Sequence, residues 1–174
     1  MPGSSLGSSL QIRKVHEVEW AEYRDLRLRA LREDPLAFGS TLERERQFPE
    51  PLWRQRLANP DSSSWVAVAS GDHFVGMAVA AKVEGEYHIF GMWVAPDHRG
   101  KGAGGRLLDA AIAWIRESSP NASILLEVNP RQEAAVQLYR SRGFGFTGRT
   151  TSLDHSPCEK CHEMVRSGLK SEST

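Results

Sequence analysis

Residues 94–108 read Val-Ala-Pro-Asp-His-Arg-Gly-Lys-Gly-Ala-Gly-Gly-Arg-Leu-Leu and join an apolar run to a helix-patterned run. A strand must therefore pass into a helix through a turn built largely without Cβ atoms. At such a junction the first N–H groups of the helix have no partner within it, and the helix dipole is positive there. That combination suits a phosphate-bearing ligand. Gly100, Gly102, Gly104 and Gly105 let a ligand approach the main chain closely, and Arg99 and Lys101 place positive charge beside the same turn. The chain reads as the binder of a phosphorylated cofactor.

The rest of the composition narrows the partners. A chain of 174 residues suits one domain with a sizeable core. Lys plus Arg and Asp plus Glu number 22 each, which argues against a nucleic-acid partner, since such proteins carry a basic excess. Residues 1–9 show neither the basic nor the apolar region of a secretory signal, and no apolar stretch is long enough to span a bilayer. The expectation is a cytoplasmic protein with no membrane partner. Residues 1–9 and 167–174 read as tails around a single domain over 10–166.

Hydrophobic periodicity gives the element order. Strands are predicted over 10–15, 65–69, 73–82, 87–94, 123–128 and near 145–152 and 159–166. Trp20, Tyr23, Leu26, Arg27, Ala30 and Leu31 form a mostly apolar helical stripe that Pro35 should end. A short helix is predicted over 51–58, with 36–49 irregular and 59–62 a loop. Helices follow over 104–117, with Leu107, Leu108, Ala111, Ile112 and Ile115 inward, and over 132–142, where Gly143 supplies a left-handed cap. The unit 87–94, 104–117, 123–128 is a β-α-β crossover with parallel strands. The fold class is α/β (α+β): a mixed, mostly antiparallel sheet of about seven strands, helices on both faces, and one parallel crossover.

Three phosphate motifs compete for the glycine turn. A Walker A loop has no match. Gly100, Gly102 and Gly105 satisfy the dinucleotide spacing Gly-x-Gly-x-x-Gly, with Glu127 ending the next strand. However, residues 95–99 separate the strand from the first glycine, and little chain remains for a second nucleotide-binding half. The third pattern is Val94-x-Pro96-x-x-Arg99-Gly100-x-Gly102-x-Gly104-x-x-Leu107. It resembles the acetyl-CoA signature of the Gcn5-related N-acetyltransferases, Arg/Gln-x-x-Gly-x-Gly/Ala. A second block over 128–144, including Ala135, Leu138, Tyr139, Gly143 and Phe144, is similar to that family's Val-x-x-x-Asn-x-x-Ala-x-x-Leu-Tyr-x-x-x-Gly-Phe. Gln132 stands where the family usually has Asn. Residues 37–41, Ala-Phe-Gly-Ser-Thr, are similar to a segment of one bacterial branch.

The resemblance implies an acetyl-CoA-dependent N-acetyltransferase acting on a primary amine of a small molecule by direct attack in a ternary complex. A protein N-terminus or lysine as acceptor, and a non-catalytic acyl-CoA sensor, are the alternatives. The implied cofactor residues are Met92, Trp93 and Val94 through their main chain, Arg99, Gly100, Lys101, Gly102, Ala103, Gly104 and Gly105 in the turn, and Asn129, Gln132, Tyr139 and Arg142 beyond it. The main-chain role of 92–94 requires that strand to diverge from the one ending at Val128. Tyr139 is the candidate acid for the departing thiolate. His88 is the favoured base, because imidazole titrates near neutral pH, and Glu86 and Glu127 are its rivals. Phe38, Ser40, Thr41 and Glu43 are the implied acceptor residues. Similar proteins are often dimers, so the resemblance leaves room for a homodimer. Cys158-x-x-Cys161-His162 matches a haem-attachment pattern, and with His155 it offers zinc ligands. Haem is not expected, because its covalent attachment takes place outside the cytoplasm and no export signal is read. Zinc is not expected, because Cys161 and His162 fall on opposite faces of a predicted strand.

Overall fold

The computed structural model describes residues 10–168. The expected tail over 1–9, the end of the second tail, and the side chain of Cys158 lie outside the described set. Seven strands form one sheet: β1 (Gln11–Lys14), β2 (Ser62–Ala69), β3 (His73–Val83), β4 (Glu86–Val94), β5 (Ile124–Val128), β6 (Gly145–Leu153) and β7 (Ser156–Arg166). Their order across the sheet is β1-β2-β3-β4-β5-β7-β6, and every neighbouring pair is antiparallel except β4 and β5. The helices are α1 (Trp20–Glu33), α2 (Leu42–Glu45), α3 (Glu50–Ala58), α4 (Ala103–Ser118) and α5 (Glu133–Ser141). This is the mixed, mostly antiparallel α/β sheet with one parallel crossover that the periodicity predicts.

The periodic elements form for the reasons the sequence offers. Tyr23, Leu26, Ala30 and Leu31 of α1 are buried at helical spacing, and the helix stops at Asp34, just before Pro35. Leu107, Leu108, Ala111, Ile112 and Ile115 of α4 are all buried. Gly143 follows α5 at φ +86°, the left-handed geometry that only glycine adopts without strain. β3 is the middle of the core. Consecutive residues from Val75 to Ala78 include buried side chains on both faces, and both α1 and α4 pack against this strand.

Two segments differ from expectation. β2 starts at Ser62, inside the run read as a loop, because Ser62, Ser63 and Ser64 pair with Ala81, Ala80 and Val79. Ladder pairing and burial override the polar composition of that triplet. The stretch 36–49 is not wholly irregular. A single turn forms α2, capped by Thr41 Oγ1, which accepts the Arg44 N–H at 3.2 Å.

The course of β4 shapes the centre of the sheet. It pairs with β5 only at Tyr87–Ile124 and His88–Leu125. Beyond His88, β4 stays with β3 as far as Val94 opposite Gly76, while β5 stays with β7. The two parallel strands therefore separate. Where they do, three steps of β4 from Phe90 to Trp93 oppose two steps of β3 from Met77 to Val79, a β-bulge at Gly91, whose φ is +64°. Among the described residues no helix is long and apolar enough to cross a membrane.

Candidate active site

The gap between β4 and β5 opens a cavity of about 840 Å³. Met92, Trp93 and Val94 line one side, residues 126–129 the other, and the first turn of α4, the inner face of α5 and the end of α1 complete the wall. At its cofactor end the glycine turn has the properties an anion needs. Gly100 and Gly102 have φ of +74° and +83° with open space where a Cβ would stand. The first turn of α4 has no side-chain cap and no acidic residue, so its N–H groups face the cavity without a competing acceptor. His98 Nδ1, on the same wall, is buried without a hydrogen-bond partner.

The four glycines divide into two jobs. Gly100 and Gly102 make the turn. Gly104 and Gly105 bring α4 against α5: a Cβ at Gly104 would stand 3.4 Å from the Leu138 side chain, and one at Gly105 would stand 2.6 Å from Arg142 Nη2. Ala103 is buried and also lines the wall. Arg99 lines the cavity, but its guanidinium folds inward. Its Nε donates to the Val94 carbonyl at 2.8 Å and its Nη2 to Asp34 Oδ2 at 2.8 Å, and the same oxygen accepts Trp93 Nε1 at 2.6 Å. Asp34 thus ties the end of α1 to the glycine turn, a role that no local sequence signal marks. Trp93 itself is buried in the core.

Two implied cofactor contacts do not reach the wall. Lys101 points back to the Asp97 carbonyl at 3.3 Å. Arg142 is held by Asp109 of α4 at 3.0 Å and lies over Gly105 outside the cavity. In each case a local acceptor captures the cation. Asn129 and Gln132 do line the wall. Asn129 is buried, its Nδ2 donates to Glu159 at 3.0 Å, and its Oδ1 accepts the Arg131 N–H at 3.0 Å, so its amide holds the turn that launches α5.

Of the candidates for proton transfer, Tyr139, His88 and Glu127 share the cavity wall, whereas Glu86 lies outside it. Tyr139 is buried against Phe144, the rings meeting edge to face at 6.2 Å. That burial pushes its phenol up to about 12. His88 is half-buried with Glu86 Oε2 at 3.9 Å. Glu127 accepts from Thr151 Oγ1 at 3.0 Å. Cys161 is a free, buried thiol on the same wall, and burial, then the charges of Glu127 and Glu159, raise its pKa. Among the described residues no cluster of His, Cys, Asp and Glu is arranged to hold a metal ion.

The wall where the acceptor residues are expected differs most from that expectation. Phe38 lines it, but Ser40, Thr41 and Glu43 do not. Thr41 faces away to cap α2, and the single turn it starts carries Glu43 outward into solvent. Arg27, Val83, Phe90, Leu153 and Cys161 line the wall in their place. Arg27 had one visible signal, a charge on an otherwise mostly apolar stripe. Its partner Glu45 is only 1% exposed. Burial favours the neutral form of that carboxyl, yet the hydrogen bond and charge of Arg27, with the charge of Arg56, outweigh it and hold the pKa below the usual range. His155 Nε2, at the tip of the β6–β7 hairpin, donates to the Pro35 carbonyl at 3.1 Å, next to the wall residues Asp34 and Ala37.

Comparison with known proteins agrees with this geometry. The chain is 34% identical over 91 residues to the peptidyl-lysine N-acetyltransferase YjaB of Escherichia coli, covering 52% of this chain and 55% of that protein. It is 31% identical over 105 residues to the N-alpha-acetyltransferase RimI of Mycobacterium tuberculosis, covering 58% and 63%. The matches thus span little more than half the length of these relatives. The fold superposes on yncA of Salmonella typhimurium, solved with its cofactor acetyl-CoA, at a TM-score of 0.75 and 17% identity, covering 96% of this chain and 98% of that one. Residues 14–146 match the Acetyltransferase (GNAT) family. With the glycine turn, the separated parallel strands and this match together, the chain belongs to the Acetyltransferase (GNAT) family.

Proposed function

We propose that the protein is an acetyl-CoA-dependent N-acetyltransferase whose acceptor is the primary amine of a small molecule, attacked directly in a ternary complex. The separation of β4 from β5 past His88 carries this reading, because it leaves the outward main-chain donors of Met92 and Val94 along a cavity that ends at an uncapped helix N-terminus. The residues present fit the cofactor. The Cβ-free turn at Gly100 and Gly102 and the first N–H groups of α4 would hold its phosphates. The freed edge of β4 would hold its extended arm as an added strand would be held.

When bound, acetyl-CoA supplies the acyl group as an activated thioester. The chain's own groups do the rest. An amine attacks only when neutral, and its ordinary pKa is about 10, so a base must remove a proton. His88 and Glu127 both line the wall and serve that purpose, His88 being favoured. The Ala95 N–H donates to Val75 of β3, so by strand alternation the Trp93 N–H also faces β3. The N–H groups of Met92 and Val94 are the ones that would orient the thioester carbonyl and stabilise charge developing on its oxygen. Tyr139 keeps its proton on Oη and offers it to the leaving sulfur.

The contact between His155 and Pro35 supports a small acceptor. It ties the hairpin that carries the wall residue Leu153 to the segment that carries the wall residues Asp34 and Ala37, a link that a chain-like acceptor entering between them would have to break and a small molecule would not. The names of YjaB and RimI favour the second reading, a protein lysine or N-terminus. One assay separates these readings. Acetyl-CoA should raise the melting temperature, and free thiol should then appear with a panel of small amines faster than with peptides. Faster peptide turnover favours the second reading. Stabilisation without turnover by any acceptor contradicts an enzyme and leaves a sensor.

A further inference from the structure

The acceptor wall carries a guanidinium with one donor left over. Arg27 lies on the buried stripe of α1, where its Nε and Nη2 donate to the two oxygens of Glu45 at 3.1 and 2.9 Å. Phe38 stacks on it at 4.6 Å. Arg56 Nη1 also reaches Glu45, at 3.5 Å. Two guanidinium charges therefore surround one carboxylate, and the cluster keeps a net positive charge. This grip fixes the fork in one orientation, and among the described residues Arg27 Nη1 has no hydrogen-bond partner. It is not sealed in the core, because Arg27 lines the cavity together with Gly91. A Cβ on Gly91 would stand 3.6 Å from Nη1. Glycine at the bulge thus keeps side-chain atoms out of the space in front of the donor.

We propose that Arg27 Nη1 binds the carboxylate of an amino-acid acceptor, one whose amine lies one or two carbons from that carboxylate. The inference rests on the acetyltransferase reading, which puts the acyl carbonyl at the main chain of Met92 and Val94. Gly91 immediately precedes that segment, and a strand rises about 3.3 Å per residue. An anion at Arg27 is therefore a few ångströms from the reacting carbonyl, the span of an α- or β-amino acid and too short for a lysine side chain or a polyamine. The charge pattern agrees. Glu127, across the gap on β5, suits the ammonium end, while the Arg27 cluster suits the carboxylate end. Val83, Phe90 and Leu153 offer apolar surface to the acceptor's side chain.

The test is thiol release by the full-length protein with matched triplets: an L-amino acid, its amide and its decarboxylated amine. Rates are expressed per neutral amine, and the triplets cover apolar and polar side chains. The amino acid is expected to have a kcat/KM about 100-fold above its two analogues, the order of what one hydrogen bond to a charged group contributes. In Arg27→Gln/Glu45→Gln, which leaves no lone buried carboxylate, the three members are expected to converge. The comparison on the unaltered protein stands even if that variant fails to fold. Amides or amines that match or exceed the amino acids overturn the carboxylate site and leave the acetyltransferase standing. No turnover with any member overturns the amino-acid acceptor, and the acetyltransferase reading falls with it only if the wider panel of amines and peptides also gives no turnover.

Discussion

Burial raises the Tyr139 phenol to about 12, so the side chain keeps its proton throughout the pH range in which the protein would work. It therefore serves as a donor and not as a base. Tyr139→Phe should lower kcat by about 100-fold, the lower range for a positioned acid, while the Kd of acetyl-CoA, measured by calorimetry, stays within about twofold. An unchanged kcat removes Tyr139 from the chemistry. The same shift sets a stability signature. The folded phenol ionises near 12 and the unfolded one near its ordinary value of 10. The stability it contributes is thus complete below pH 10 and is lost as pH rises through 12, by up to about 3 kcal/mol. Urea titrations of Tyr139→Phe should lack that part of the alkaline loss. For the base, the pH profile of kcat/KM decides: His88→Ala should remove the acidic limb, and a retained limb moves the role to Glu127.

At the scale of elements, the β4–α4–β5 unit was legible because its signals are local. An apolar run, a glycine turn and a helical stripe follow one another within 43 residues of sequence (residues 86–128), and each signal has its own physical cause. The division of labour among the glycines was not legible, since Gly104 and Gly105 act through Leu138 and Arg142 of a later helix. Nor was the start of β2. Three serines look like a loop until β3 pairs with them. One glycine outside the motif tests how tightly β4 is seated. A Cβ at Gly76 would stand 3.1 Å from the Trp93 carbonyl and 3.1 Å from Leu107. The first neighbour is backbone on the strand that lines the cavity, so it yields only if β4 moves. Gly76→Ala should destabilise the fold by about 1–3 kcal/mol in chemical denaturation. It should also weaken acetyl-CoA binding, unlike Tyr139→Phe. Full stability with unchanged binding means that β4 is not held as described.

At the scale of the whole molecule, the turn proposed for the cofactor's phosphates comes from consecutive chain, and the wall proposed for the acceptor comes from scattered chain. Arg27, Phe38, Glu127, Leu153 and Cys161 belong to five different segments, and only the sheet order and the packing of α1 beside it bring them together. No local periodicity marks such a wall, which explains why Ser40, Thr41 and Glu43 were expected there and Arg27 and Leu153 were not. The same separation of β4 from β5 creates both halves, so the function proposed for each depends on it. A crystal structure of the protein with coenzyme A tests it most directly. The diphosphate should lie against the main-chain N–H groups at the start of α4, with the pantetheine arm along residues 92–94 in the gap. Coenzyme A bound elsewhere, with β4 and β5 closed against each other beyond His88, would contradict it.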